Sequence, residues 1–193
     1  FQYPEYQLFA ESVYADVAFG LKNFRKEITD EQTAYEVKKA LEAVGLDYNQ
    51  IKDKSPFELS GGQRRRVAIA GVLVTNPEIM VLDEPVAGLD PVGKKELMAL
   101  LHSLNAGGRT IIVVSHDMDE VCENCTRVAV FSQGEVIAEG TPEEVFSQGE
   151  KMRGLRLGVP LTEYLSERLA EKGVNLNCDL TENDFIRAVK ELC

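Results

Sequence analysis

Apolar residues recur with two different periods along this chain, and the period changes where the elements change. Over residues 30–45, Ala34, Val37, Leu41 and Val44 share one helix face. Thr29 is placed to cap that helix, with Gln32 three positions on, and Gly45 to end it. Residues 61–75 read as a helix that stops before Asn76-Pro77. Ile79-Met80-Val81-Leu82 is a short apolar run with the character of a buried strand. Residues 92–105 carry Leu97, Leu100, Leu101 and Leu104 on one side, and Gly107-Gly108 stops them. Residues 111–114 are β-branched throughout and predict a second buried strand. Residues 117–124 read as helical. Gln133-Gly134, flanked by Val128 to Phe131 and Glu135 to Glu139, signals a hairpin. Thr141-Pro142-Glu143-Glu144 is a capping box with proline at the first helical position, starting a short helix through Phe146. Pro160, Thr162 and Thr181 introduce helices over 162–172 and 182–192, with Gly173 between them. Residues 1–20 read as an extended piece and a loop around Pro4.

Strand–helix–strand alternation from 79 to 131 predicts an α/β fold with a parallel sheet. The helices before it are expected to form a separate helical lobe. The character changes after residue 150, so 1–150 is read as the main domain and 151–193 as a small C-terminal helical appendage.

Charge narrows the function classes. The net charge is −11, and residues 1–150 hold 14 Lys and Arg against 25 Asp and Glu, while residues 151–193 hold 7 of each. Such an acidic surface argues against nucleic acid as a partner. No apolar run approaches the roughly 20 residues that span a membrane. Of the four cysteines, Cys122 and Cys125 form a C-x-x-C on a predicted helix without a second pair, which favours free thiols over a metal or redox site.

Three short segments carry chemistry. Ser60-Gly61-Gly62-Gln63 stands at a predicted helix start, where backbone N–H groups attract anions and glycines permit close approach. The alternative is an ordinary serine cap with a glycine turn. Asp83-Glu84 follows the apolar strand 79–82, at the carboxyl edge of the sheet where phosphates bind in α/β folds. One carboxylate there can hold Mg²⁺, usually through water, and the other can orient or deprotonate an attacking water. Pleat alternation is expected to point the two apart. His116 leaves the strand 111–114 and can hydrogen-bond a terminal phosphate, whereas His102 lies inside a helix and reads as structural. The run Arg64-Arg65-Arg66 is expected to pair with local carboxylates.

Leu59-Ser60-Gly61-Gly62-Gln63, then Asp83-Glu84-Pro85, Gly88-Leu89-Asp90 and Ser115-His116-Asp117, in this order and spacing, resemble the ATP-binding subunit of an ATP-binding cassette (ABC) transporter. The resemblance implies the P-loop NTPase (RecA-like) ABC ATPase core. No G-x-x-x-x-G-K-[ST] pattern occurs, so the core is expected to be incomplete at its N-terminus and to expose apolar edges. Phe1-Gln2-Tyr3-Pro4-Glu5, Val17-Ala18-Phe19-Gly20, Ser55-Pro56-Phe57-Glu58 and Gly140-Thr141-Pro142-Glu143-Glu144 look narrower. They resemble the ATPases of energy-coupling factor (ECF) transporters, importers of vitamins and transition-metal ions, and the Tyr3-Pro4-Glu5 form resembles the second of the two ATPase types.

This resemblance implies ATP and Mg²⁺ as ligands and a cytoplasmic subunit on the inner face of the membrane. It implies a second ABC ATPase subunit as partner, identical or paralogous, stacked head to tail. A transmembrane coupling protein and, indirectly, a substrate-binding membrane subunit complete the assembly. One subunit brings Gln2, Asp83, Glu84 and His116 to a nucleotide, with Gln2 also at the metal. The other brings Ser60, Gly61, Gly62, Gln63 and Asp90. Glu5, Glu11 and Asp16 become candidates to meet basic residues of the coupling protein. Val86 stands where the family commonly has threonine. Two other readings differ in class. A non-transport ABC ATPase of the chromosome-maintenance kind would insert a coiled coil between Gln2 and Ser60, where only 57 residues lie. A non-catalytic interaction module would not need Glu84 and His116.

Overall fold

Ser12 starts a helix where a loop is expected. Its hydroxyl accepts the Ala15 N–H at 3.2 Å, and α1 runs Val13–Phe24 with Asp16 in the first turn and Lys22 in the last. Val13, Val17, Ala18 and Leu21 form its buried side. Their spacing of four, one and three is a helical stripe, so the extended reading of this stretch is corrected by the burial of one face. The computed structural model describes residues 7–147, 149–154, 157–176 and 180–191.

Helix α2, Asp30–Ala43, carries the expected reciprocal cap of Thr29 and Gln32. A short helix α3, Tyr48–Ile51, is capped by Asp47. A single 3-10 turn, Pro56–Glu58, with its own Ser55–Glu58 box, leads into α4, Gly61–Leu73. Helices α1, α2 and α4 pack on one another. Strand β1, Ile79–Asp83, then α5, Pro91–Ala106, and strand β2, Thr110–Val114, complete the first compact unit. The strands pair in parallel, from Ile79 opposite Thr110 to Asp83 opposite Val114.

The helical layer and the sheet share one core. Val13, Val17, Leu21, Val37, Leu41 and Val67 are wholly buried, and the same cluster continues through Met80, Val86, Leu97, Leu101 and Leu104. The helical lobe is therefore not separated from the strands by its packing. Burial also corrects the expectation that both strands are enclosed. Met80, Leu82, Ile111 and Val113 lie against the core. Ile79, Val81, Ile112 and Val114 are exposed on the opposite side, Val81 by 65%. Among the described residues this sheet has two strands with helices on one face, so a β-branched run need not mean two-sided burial.

The second unit begins at Ser115. It contains α6 (Met118–Asn124), β3 (Val128–Ser132), β4 (Glu135–Gly140), α7 (Pro142–Phe146), α8 (Gly149–Gly154), α9 (Leu161–Ala170) and α10 (Glu182–Glu191). β3 pairs antiparallel with β4. Gln133 and Gly134, at φ 51° and 84°, make the hairpin turn. The expectation that β3 extends the parallel sheet is thereby corrected, because its partner is the neighbouring hairpin strand. The core of this unit is Val121, Cys122, Val130, Val145, Phe146, Met152 and Leu180. Residues on both sides of position 150 build it, so the boundary drawn there from the sequence is not a packing boundary. Thr162, expected to introduce a helix, is instead buried in α9 and donates its hydroxyl to the Leu180 carbonyl at 2.7 Å. Arg153 grips the Glu167 carboxylate with both terminal nitrogens, at 2.8 and 3.0 Å, which holds that carboxyl below its ordinary pKa.

Gly45 closes α2 with φ 73°, and a Cβ there would come within 3.0 Å of Arg66 Nη1, which itself donates to the Val44 carbonyl at 3.2 Å. Both the backbone sign and the space demand glycine. Gly45→Ala is expected to lower stability by more than about 1 kcal/mol in urea unfolding; an unchanged midpoint would contradict the argument.

Candidate nucleotide site

The Ser60 hydroxyl accepts the Gln63 N–H at 3.2 Å, and the Gln63 side chain accepts the Ser60 N–H at 3.1 Å. This reciprocal box fixes where α4 begins. It leaves Gly61 and Gly62 at the first two helical positions, whose N–H groups have no intrahelical acceptor. Both glycines are exposed, and a Cβ on either would meet no heavy atom within 4 Å. Packing within this chain therefore does not account for their lack of a side chain, and an approaching anion would find the backbone open.

The three arginines that follow do different work. Arg66 meets a carboxylate, as expected, reaching Glu96 at 2.5 Å. Arg64 instead donates to the Leu59 carbonyl at 2.9 Å. Arg65 is buried and donates to the carbonyls of Pro85 and Ala87, at 2.8 Å and 3.1–3.2 Å. For Arg64 the partner is a backbone oxygen in place of the expected carboxylate, and Arg65 reaches backbone oxygens of the turn between β1 and α5.

Those turns lead from the sheet edge to Asp90. Asp83 is the last residue of β1 and is exposed. Glu84 is half-buried and adopts φ 48°, the left-handed region that side chains rarely occupy. Its N–H donates to the Val114 carbonyl at 2.8 Å, and its own carbonyl accepts the Ala87 N–H at 3.1 Å. Glu84 thus stands in a left-handed turn just past the strand end at Asp83. Val86 is buried in the core, which suits an apolar side chain there. Asp90 caps α5 by accepting the Gly93 N–H at 2.8 Å.

His116 belongs to the second unit and is exposed on the bend after β2. The Asp117 N–H donates to Ser115 Oγ at 3.1 Å, and Asp117 caps α6 through the Glu120 N–H at 3.1 Å. The bend around His116 is thus fixed on its C-terminal side. Gln2 and Glu5 lie outside the described residues. Glu11 is exposed. Asp16 accepts the N–H groups of Phe9 and Ala10 at 3.3 and 2.9 Å, so it also ties down the segment before α1, a role its sequence position did not reveal.

A parallel strand pair with two carboxylates at its carboxyl end, in one unit with a glycine-started helix, is the arrangement of a nucleotide-binding α/β core. The ABC transporter family profile matches residues 3–87. The "Energy-coupling factor transporter ATP-binding protein EcfA2" of Clostridium tetani is 47% identical over 100% of this chain and 66% of its own length. The protein of that name from Streptococcus agalactiae serotype Ia is 47% identical over 98% of this chain and 67% of its own. Among solved structures, cbiO1 from Clostridium perfringens, described as part of the ABC transporter complex cbiONQ, is 44% identical at a TM-score of 0.68. It is covered over 65% of its length by 86% of this chain. MJ1267, an ATP-binding cassette of an ABC transporter, is 29% identical at a TM-score of 0.67, over 82% of this chain and 67% of its own. The chain belongs to the family of ABC transporter ATP-binding proteins. Within that family its relatives include the energy-coupling factor ATPases, and it spans about two thirds of their length, 66% for the Clostridium tetani protein.

The C-x-x-C pair belongs to the second unit. Cys122 is buried and its thiol is pushed up to about 12, by burial first and then by Asp119 and Glu143. At neutral pH it is a protonated packing group and a poor nucleophile. Alkylation of Cys122 by iodoacetamide in the folded protein is expected to rise about tenfold per pH unit from 7 to 10 without levelling. A plateau near pH 8–9 would show an ordinary thiol.

Proposed function

We propose that this chain is the ATP-binding and ATP-hydrolysing subunit that energises an ECF-type importer of vitamins or transition-metal ions through ATP-driven closure of an ATPase pair. The observation that carries the reading is that two exposed element ends, read as half-sites, belong to one unit. One is the open glycine start of α4. The other is the Asp83–Glu84 edge of β1. A head-to-tail pair joins one half of each subunit to the other half of its partner.

In that pair Asp83, with Gln2, would hold Mg²⁺ through water. An exposed carboxylate at a strand end suits an ion that keeps most of its water shell. When bound, the ion neutralises charge on the phosphates. Glu84 orients the attacking water and takes its proton. His116 donates a hydrogen bond to the terminal phosphate. Ser60, the N–H groups of Gly61 and Gly62, Gln63 and the Asp90 loop receive the partner's ATP, where the helix start favours negative charge. Glu5, Glu11 and Asp16 face basic residues of a transmembrane coupling protein, a role supported by the exposure of Glu11.

None of the 193 residues forms the glycine-and-lysine phosphate loop that supplies most of the cradle for Mg·ATP. The 193-residue chain alone is therefore expected to show no ATP turnover, and to stimulate a complete partner ATPase by lending it the α4 half-site. In the full-length protein, Glu84→Gln is expected to lower turnover by about 10²–10⁴-fold. Turnover by the 193-residue chain alone, lost on Glu84→Gln, would overturn the assignment of the phosphate cradle. Unchanged turnover in full-length Glu84→Gln would overturn the role of Glu84.

A further inference from the structure

We propose that Arg65 is a positioning residue that holds the catalytic turn, and with it Glu84, on the helix that serves the neighbouring ATP site. The inference rests on the functional reading above and adds to it a residue that touches neither nucleotide nor metal in that reading.

Arg65 is 4% exposed. Removing a guanidinium from water is costly, and the cost is offset only where its donors find acceptors. Here the acceptors include carbonyls 20 and 22 residues along the chain. Nη1 reaches Pro85 O at 2.8 Å and Ala87 O at 3.2 Å, and Nη2 reaches Ala87 O at 3.1 Å. Charge-assisted bonds of this kind are stronger than neutral ones, and the planar fork spans two acceptors as an ammonium cannot.

The turn so gripped is strained at its first residue. A left-handed backbone at a residue with a side chain is strained and persists only where its surroundings over-determine it. Two of the constraints are local, the bond from the Glu84 N–H to Val114 and the bond from the Ala87 N–H to the Glu84 carbonyl. Arg65 supplies the third from a different element, by fixing the carbonyls on either side of buried Val86. The held segment then ends at Asp90. In the head-to-tail pair, α4 and Asp90 face the partner's nucleotide while Glu84 acts on the chain's own. One guanidinium thus ties the helix at one ATP to the carboxylate at the other.

The test is steady-state ATP turnover of the full-length protein in its assembled complex, with Arg65→Lys, Arg65→Met and Glu84→Gln measured beside the native sequence. Arg65→Lys keeps the charge without the fork, and is expected to lower kcat by about 10–100-fold, the scale of a misplaced catalytic group. KM for ATP and equilibrium binding of a fluorescent ATP analogue should stay within about twofold. Arg65→Met should lose at least as much. Native kcat in both Arg65 variants would overturn the proposal. So would a loss of nucleotide binding matching the loss of kcat, or a failure of both variants to fold, since either makes Arg65 a residue of the core only. If Glu84→Gln turns over at the native rate, the functional reading fails first. If Glu84→Gln is inactive and Arg65→Lys is native, only the proposal about Arg65 fails.

Discussion

A buried guanidinium that bonds backbone carbonyls is the constraint around which the first unit is organised. Arg65 is fixed by α4, and its acceptors lie in the turn between β1 and α5. Its neighbour Arg66 reaches the Val44 carbonyl at the end of α2 and the Glu96 carboxylate on α5. Consecutive residues of one helix thereby bond the turn after β1, the end of α2 and a carboxylate of α5. The exposed Arg66–Glu96 pair contributes little by itself in water. The buried Arg65 differs, because its carbonyl partners would be as costly to strand as the cation. The apolar core gives α4 its depth, and the arginines fix its relation to the residues that carry chemistry.

This arrangement gives physical content to the division of labour in the site. The residues proposed for the site sit at element ends, where the backbone leaves polar groups unspent. Ser60, Asp90 and Asp117 are all N-caps, each spending its side chain on the helix behind it. Caps of this kind fix helix starts to within a hydrogen bond, and so fix the neighbouring N–H groups of Gly61 and Gly62. Glu84 departs from the pattern, because it sits in a left-handed turn whose backbone bonds Val114 and Ala87.

Much of this was legible in the sequence where a local rule governs. The Thr29–Gln32 and Thr141–Glu144 boxes and the Gln133-Gly134 turn depend on residues within a few positions of one another. The order and spacing of Ser60, Asp83, Glu84, Asp90 and His116 likewise sufficed to indicate the family. Helix α1 was hidden because its stripe at Val13, Val17 and Leu21 follows closely on Pro4, which suggested a loop. The one-sided sheet was hidden because a β-branched run looks the same whether one face or two is covered. The antiparallel place of β3 followed from the hairpin signal, which competed with strand–helix alternation and prevailed. Arg65 could not be found from its neighbours, since its partners are 20 residues away and carry no side-chain signal.

The central claim is that Arg65 holds the catalytic turn in place, and hydrogen exchange at the Glu84, Ala87 and Leu89 amides reports on it directly. All three donate to carbonyls within or beside that turn, at 2.8, 3.1 and 3.1 Å. In Arg65→Lys, exchange at these amides is predicted to accelerate by about tenfold or more, while the α1 and α2 amides keep their protection, as local opening requires. Equal protection of the turn in the native and Arg65→Lys proteins would contradict the account.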